Sequence, residues 1–300
     1  MAGTLWVLAT LIAAAAQTAR NIAQSGLTRQ IGTLGATQVR FTFGLPFAVA
    51  FLGLAALATG EAVPAIPPAS LAFTALGAVA QIGATALMLY TMKSRSFAVT
   101  TAWIKTEPVM VALIAAATIG DPLTWPLLLA IVVATVGVVI LSTQAETTRV
   151  MLRDLGPAAT GLLAGLLFGL AAIGFRGGIL NLPEGGFVIR ASTILVAGLS
   201  IQCALLLLWL VIFDRRALTS SFSVWRTSLW AGFLGAFASQ FWFIGFSLTT
   251  AANVRTLALV EVIMALGVSA YVLHQRVTTR QKIGIGVIVL GVALLLNTQG

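Results

Sequence analysis

The chain has 300 residues, 59% of them hydrophobic and only 8% charged, with 17 basic and 8 acidic side chains and a formal net charge of +9. Its mean hydropathy is +1.03, whereas a water-soluble domain is about one quarter charged and needs a polar surface; the composition excludes a cytosolic enzyme or a freely diffusing nucleic-acid binder. The basic residues are dispersed between apolar runs, a pattern of membrane anchoring and not of a polyanion groove, and the single cysteine, Cys203, lies inside an apolar run, which excludes a disulfide framework.

A helix needs about 20 apolar residues to cross the hydrocarbon core. Runs of that length recur along the chain, and in order they predict spans at 4–25, 34–58, 68–91, 97–119, 124–142, 157–178, 187–212, 226–249, 253–274 and 279–297. The first is read as a retained helix and not a signal peptide, because Met1–Thr4 carries no basic residue. The runs are continuously apolar and do not alternate every second residue, which argues against a membrane barrel. Span one carries Gln17, Arg20 and Asn21, span three Gln81 and Tyr90, and span four Trp103, Lys105, Glu107 and Pro108. Span six carries a stripe of Gly161, Gly165 and Gly169, suited to close helix packing, followed by Arg176. Span eight contributes Gln240 and Trp242, and span nine Arg255 and Glu261. His274 is the only histidine, at a predicted interface and without the spacing of a metal site.

The connections after the odd-numbered spans, with the adjoining helix ends, hold Arg29, Lys93, Arg95, Arg149, Arg153, Arg215, Arg216, Arg226, Arg276, Arg280 and Lys282. The opposite side holds Glu61, Asp121 and Glu184 and no basic loop residue. The positive-inside rule makes the basic side cytoplasmic and puts both termini outside.

An offset of 154 positions brings Glu107 onto Glu261, Met110 onto Met264, Thr124 onto Thr278, Gly137 onto Gly291 and Val138 onto Val292. A slightly different offset matches Arg40 with Arg190, and Arg20 with Arg176. Each repeat then contains five spans, an odd number, so the second enters the membrane from the opposite side. The fold expected is all-α integral membrane, with ten transmembrane helices in two inverted five-helix repeats. The repeats fall at 1–150 and 151–300.

Glu107 is predicted about ten residues into its span, close to the bilayer midplane at ~1.5 Å per residue. A carboxylate there is too costly to face lipid. It either lines a polar cavity or pairs with a base across the bundle, and Pro108 beside it predicts a kink. Lys105 points about 200° away around the same helix and is a poor direct partner; Glu261 poses the same choice without a proline. Arg20, Arg176 and Arg255 are the basic candidates for the interior, whereas Arg40 and Arg190 are placed nearer helix ends, where long side chains snorkel. With Lys105 included, the interior is short of negative charge, which favours an anionic or zwitterionic substrate over a bare cation. The candidate substrate-binding or gating set is Gln17, Arg20, Asn21, Gln81, Tyr90, Trp103, Glu107, Arg176, Gln240, Trp242, Arg255 and Glu261. Gln81 and Gln240 are read as either inter-helix locks or substrate contacts, and Trp103 and Trp242 as stacking surfaces.

The stretch VRFTFGLPFA at Val39–Ala48, and the repeat ends running from TEPVMVAL to VATVGVVIL and from VEVIMALG to VIVLGVALL, resemble an EamA-type member of the drug/metabolite transporter superfamily. The resemblance covers nearly the whole chain. It implies secondary transport through a central cavity built from both repeats, as in ten-helix exporters of amino acids and metabolites, in the bacterial inner membrane. The expected function is export of amino acids or similar small polar metabolites by alternating access, with proton-coupled export of drugs or organic cations as the alternative. The expected partners are a small-molecule substrate, the lipid bilayer and, in the alternative, a coupling proton. No nucleic acid, metal or cofactor is implied, and a monomer suffices. The sequence has no phosphate-binding loop for ATP hydrolysis and no catalytic constellation, so no enzyme is expected.

Overall fold

The computed structural model describes residues 2–91, 103–142, 155–272 and 277–298. Lys93, Arg95, Arg149, Arg153, His274 and Arg276 lie outside the described residues. Twelve helices and no strand are present among the described residues: α1 (Ala2–Thr42), α2 (Leu45–Thr59), α3 (Pro68–Thr91), α4 (Glu107–Thr118), α5 (Trp125–Ser142), α6 (Leu155–Leu180), α7 (Phe187–Phe213), α8 (Arg215–Ser223), α9 (Trp225–Leu248), α10 (Ala251–Leu257), α11 (Val260–Val272) and α12 (Thr279–Asn297). Helices are what the bilayer demands, because only intra-segment hydrogen bonding satisfies the backbone away from water. Among the described residues nine segments are long and apolar enough to cross a membrane, and Glu107–Thr118 is a shorter apolar helix in the place of span four. Large apolar side chains such as Leu54, Leu57, Leu208 and Leu290 are exposed, as expected of residues facing lipid.

Span one and the first part of span two lie within α1, which is broken at Gly32. Gly32 has φ +76°, a region glycine enters without the steric cost of a Cβ. The break turns the chain back on itself: Gln24 Nε2 donates to the Ala36 carbonyl at 3.0 Å, whereas twelve residues of straight helix would separate them by about 18 Å. Span two then breaks again at Phe43 and Gly44, ahead of Pro46 in the first turn of α2, where a proline lacks the N–H a continuing helix requires.

The chain divides into two compact units, Met1–Ile82 with Ala171–Thr249, and Gly83–Leu170 with Thr250–Gly300. Each draws helices from both halves of the sequence. In the first unit α9 packs along α1, and α7 packs on α2 and α9. Helices α3 and α6 cross there at Gly77 and Gly174: a Cβ on Gly174 would lie 2.7 Å from the Gly77 Cα. Ser70 Oγ secures the crossing by donating to the Gly178 carbonyl at 2.7 Å.

In the second unit α5 and α12, the fifth spans of the two halves, pack together. A Cβ on Gly137 would lie 2.6 Å from Ile288 N, one on Gly284 would lie 2.6 Å from Leu141 Cβ, and one on Gly291 would collide with Ala134. Residue numbers rise on one helix as they fall on the other, so the two equivalent helices run antiparallel, the sense expected of inverted repeats. Ala134, Val138, Leu141, Leu259 and Ile288 fill the core beside this contact.

The close approach predicts that Gly137→Ala destabilises the protein by about 1–3 kcal/mol through overpacking. Gly286→Ala, on the same pair of helices but with nothing within 4 Å of the added Cβ, is expected to be neutral or slightly stabilising. Thermal unfolding of the two variants in one detergent measures the contrast.

Candidate functional site

The second unit holds the deep carboxylates, and both lie immediately after a break in a membrane-crossing segment. Ahead of α4, Thr106 N donates to Trp103 O at 3.1 Å and Val109 N to Thr106 O at 3.2 Å. Between α10 and α11, Leu259 N donates to Thr256 O at 3.1 Å and Glu261 N to Ala258 O at 2.9 Å. These three-residue bonds tighten the chain locally, as at hinges within helices. Each break starts a new helix with a glutamate in its first turn, Glu107 in α4 and Glu261 in α11, where the aligned peptide dipoles favour negative charge.

The two carboxylates take their partners crosswise. Arg255, in the last turn of α10, grips Glu107 with two parallel hydrogen bonds, Nε to Oε1 at 2.5 Å and Nη2 to Oε2 at 2.5 Å. Lys105 Nζ lies 3.2 Å from Glu261 Oε2. Each pair thus joins a residue of the first half of the sequence to one of the second. The Glu107 side chain is 5% exposed and that of Glu261 8%, so the pairs operate where Coulomb attraction is strong but desolvation is costly. The glycine stripe of α6 makes room beside them: Gly165 lies against the Ile104 backbone and Gly169 against Val111 and Glu107 Cγ. The indole N–H of Trp103 is buried with no hydrogen-bond partner among the described residues.

The first unit holds a separate polar cluster. Gln202 Nε2 donates to Gln81 Oε1 at 2.8 Å, Gln240 Nε2 to Ser192 Oγ at 2.8 Å and Trp242 Nε1 to Gln17 Oε1 at 3.1 Å. Arg20 Nη2 donates to Asn21 Oδ1 at 2.8 Å. Beside them a cavity of about 10 Å³ is walled by Arg40, Gln81, Gln202 and Ser239 on its polar side and Phe175 and Phe243 on its apolar side. That volume is room for about one water.

The EamA-like transporter family model matches residues 4–143 and again 155–297. The chain belongs to the EamA-like transporter family. It is therefore an integral membrane transporter of the drug/metabolite superfamily, built from two copies of the EamA unit. A crystal structure among the solved chains that match superposes with a TM-score of 0.70 over 98% of this chain and 96% of the other at 14% identity, a likeness of fold alone. No curated protein matches the sequence.

Within this EamA-type architecture the twelve residues singled out in the sequence divide. Trp103, Glu107, Arg255 and Glu261 meet in the second unit; Gln17, Arg20, Asn21, Gln81, Gln240 and Trp242 lie in the first. Arg176 caps a helix end, donating through Nη1 to the Phe246 carbonyl at 2.6 Å and to that of Thr249. Tyr90 is 68% exposed at the end of α3. Arg40 does not snorkel to a helix end as expected. It is 6% exposed and lines the cavity, because its side chain runs past Gly235, where a Cβ would lie 3.7 Å from Arg40 Cγ. Arg190 does serve a helix end, binding the Ile179 carbonyl through Nε and Nη2 at 3.1 and 2.7 Å. Gln202, Ser192 and Ser239 were missed in the sequence. Gln202 had a legible signal, a lone amide in the apolar run of α7, which a buried position obliges to find a partner.

Breaking a buried ion pair on one side leaves an uncompensated charge at a cost of about 3–5 kcal/mol, while removing both charges is far less costly. Glu107→Gln and Arg255→Gln are each expected to lower stability by about that amount, and the double variant by clearly less than their sum. Unfolding of the four proteins of this cycle in one detergent is the measurement.

Proposed function

We propose that this transporter exports amino acids or similarly small polar metabolites by alternating access. The observation that carries the reading is the crossed pairing of Lys105 with Glu261 and Arg255 with Glu107. The four residues form a neutral set with two positive and two negative members, each pair linking the two repeats beside a break in a helix. A zwitterion offers one carboxylate and one ammonium. It can exchange with such pairs without leaving a net buried charge, whereas a lone cation or anion cannot. Pairs that open and re-form in turn also give the protein two states of comparable energy, the requirement for a switch driven by ligand binding.

The pairing supports this reading over proton-coupled export of drugs or organic cations, in which a carboxylate has to stand open to take a proton or a cation. The chain acts in the bacterial inner membrane as a monomer, with the basic connections on the cytoplasmic side and both termini outside. Substrate enters from the cytoplasmic face.

Two experiments test the proposal. Purified protein in proteoliposomes is expected to give counterflow of at least one amino acid, with or without an imposed pH gradient. The double variant Glu107→Gln with Arg255→Gln is expected to keep the fold and reduce that flux about tenfold or more, the equivalent of ~1.4 kcal/mol on the transport barrier. Wild-type liposomes that move a lipophilic cation only under a pH gradient, and no amino acid, would transfer the reading to the alternative. For orientation, a reporter fused after Gly300 is expected to be active outside the cytoplasm; activity confined to the cytoplasm reverses the topology.

A further inference from the structure

The crossed ion pairs leave the polar cavity of the first unit without a role. Arg40 lines it and is 6% exposed; Arg20 is 3% exposed. Both pass over the same point of α9, since a Cβ on Gly235 would lie 3.5 Å from Arg20 Cδ and 3.7 Å from Arg40 Cγ. Two arginine side chains therefore run along the same wall. The neighbouring amide has its polarity fixed: Gln202 Nε2 donates to both Gln81 Oε1 and the Ala78 carbonyl, so the polar group Gln81 has left to offer is its –NH₂, a donor. Ser239 adds a hydroxyl, and among the described residues no carboxylate lines the cavity. Opposite, Phe175 and Phe243, with ring centroids 4.7 Å apart, provide an apolar wall.

We propose that this cavity is a recognition site for the carboxylate of a small organic molecule. Arg40 is the principal partner, Gln81 and Ser239 donate to the carboxylate oxygens, Arg20 supports the field, and the two phenyl rings take the adjoining carbon. The present volume admits one oxygen-sized group, so one carboxylate oxygen seats there and the rest of the head requires the lining side chains to move apart. Donors of this kind, held in a low-dielectric site, discriminate a carboxylate from its uncharged amide through charge-assisted hydrogen bonds. The statement that the bound carboxylate belongs to the exported substrate rests on the export reading; the site itself does not.

The test uses the full chain purified in detergent, with acetate as the probe and acetamide, nearly the same shape but uncharged, as its control, at constant ionic strength. Acetate is expected to raise the unfolding temperature saturably and acetamide to leave it unchanged. Arg40→Gln and Ser239→Val are expected to raise the apparent Kd for acetate about tenfold or more, the loss of one charge-assisted hydrogen bond. Arg226→Gln, which removes one exposed positive charge away from the cavity, is expected to keep the wild-type value. Should Arg40→Gln not fold, Arg40→Lys and Ser239→Val carry the comparison. Equal effects of acetate and acetamide, or wild-type acetate affinity in the folded cavity variants, overturn the proposal. Acetate binding that depends on Arg40 in a protein that moves no amino acid upholds the site and removes only its assignment to export.

Discussion

A charge or an unpaired backbone group has no partner in hydrocarbon, and this constraint organises the molecule. Continuous helices answer it over most of the described chain, and at two helix ends an arginine completes the bonding. Arg176 reaches the carbonyls at the end of α9, and Arg190 those at the end of α6. The broken spans four and nine are the places where the buried ion pairs sit. The glutamates accept their position because a helix begins under them, and the bases accept theirs because the glutamates are there.

The two breaks are equivalent in the repeat, but the charges around them are only half so. Glu107 corresponds to Glu261, whereas the position equivalent to Lys105 is Leu259 and the position equivalent to Arg255 is Thr101. Duplicated architecture has thus been kept for the acids and the hinge, while the bases come from different depths on the two sides. One carboxylate is held by a rigid two-pronged guanidinium and the other by a flexible ammonium at 3.2 Å. Arginine's planar fork fits a carboxylate geometrically, and lysine offers a mobile point charge. The two pairs therefore differ in geometry, one a two-pronged grip on both carboxylate oxygens and the other made through Oε2.

Much of this was legible before any coordinate was in hand. Run length and turn residues place most of the spans to within a few positions, 187–212 where Phe187–Phe213 is found and 279–297 where Thr279–Asn297 is found, whereas in the place of 97–119 the described helix is the shorter Glu107–Thr118. Pro108 announced the break in span four. The break before Glu261 carried no such sign, because hydrogen bonding three residues back, without a proline, produces it. The spacing of Lys105 and Glu107 makes them poor direct partners, but spacing on one helix does not say which other helix faces it, so the crossed partners are not legible in the sequence. Arg40 was misjudged for a related reason. Its distance from the span end was visible, but the gap that Gly235 leaves on α9, through which its side chain passes into the interior, depends on tertiary packing.

The antiparallel contact of α5 and α12 has a further consequence. Ala134 meets Gly291 and Gly137 meets Ile288, and the internal offset exchanges these two contacts, so the surface is its own complement in the manner of a two-fold dimer. A single five-helix polypeptide inserted in both senses already carries both faces of that interface. Two copies joined in one chain need no new surface at this junction, and a change at the same position of both copies alters both contacts.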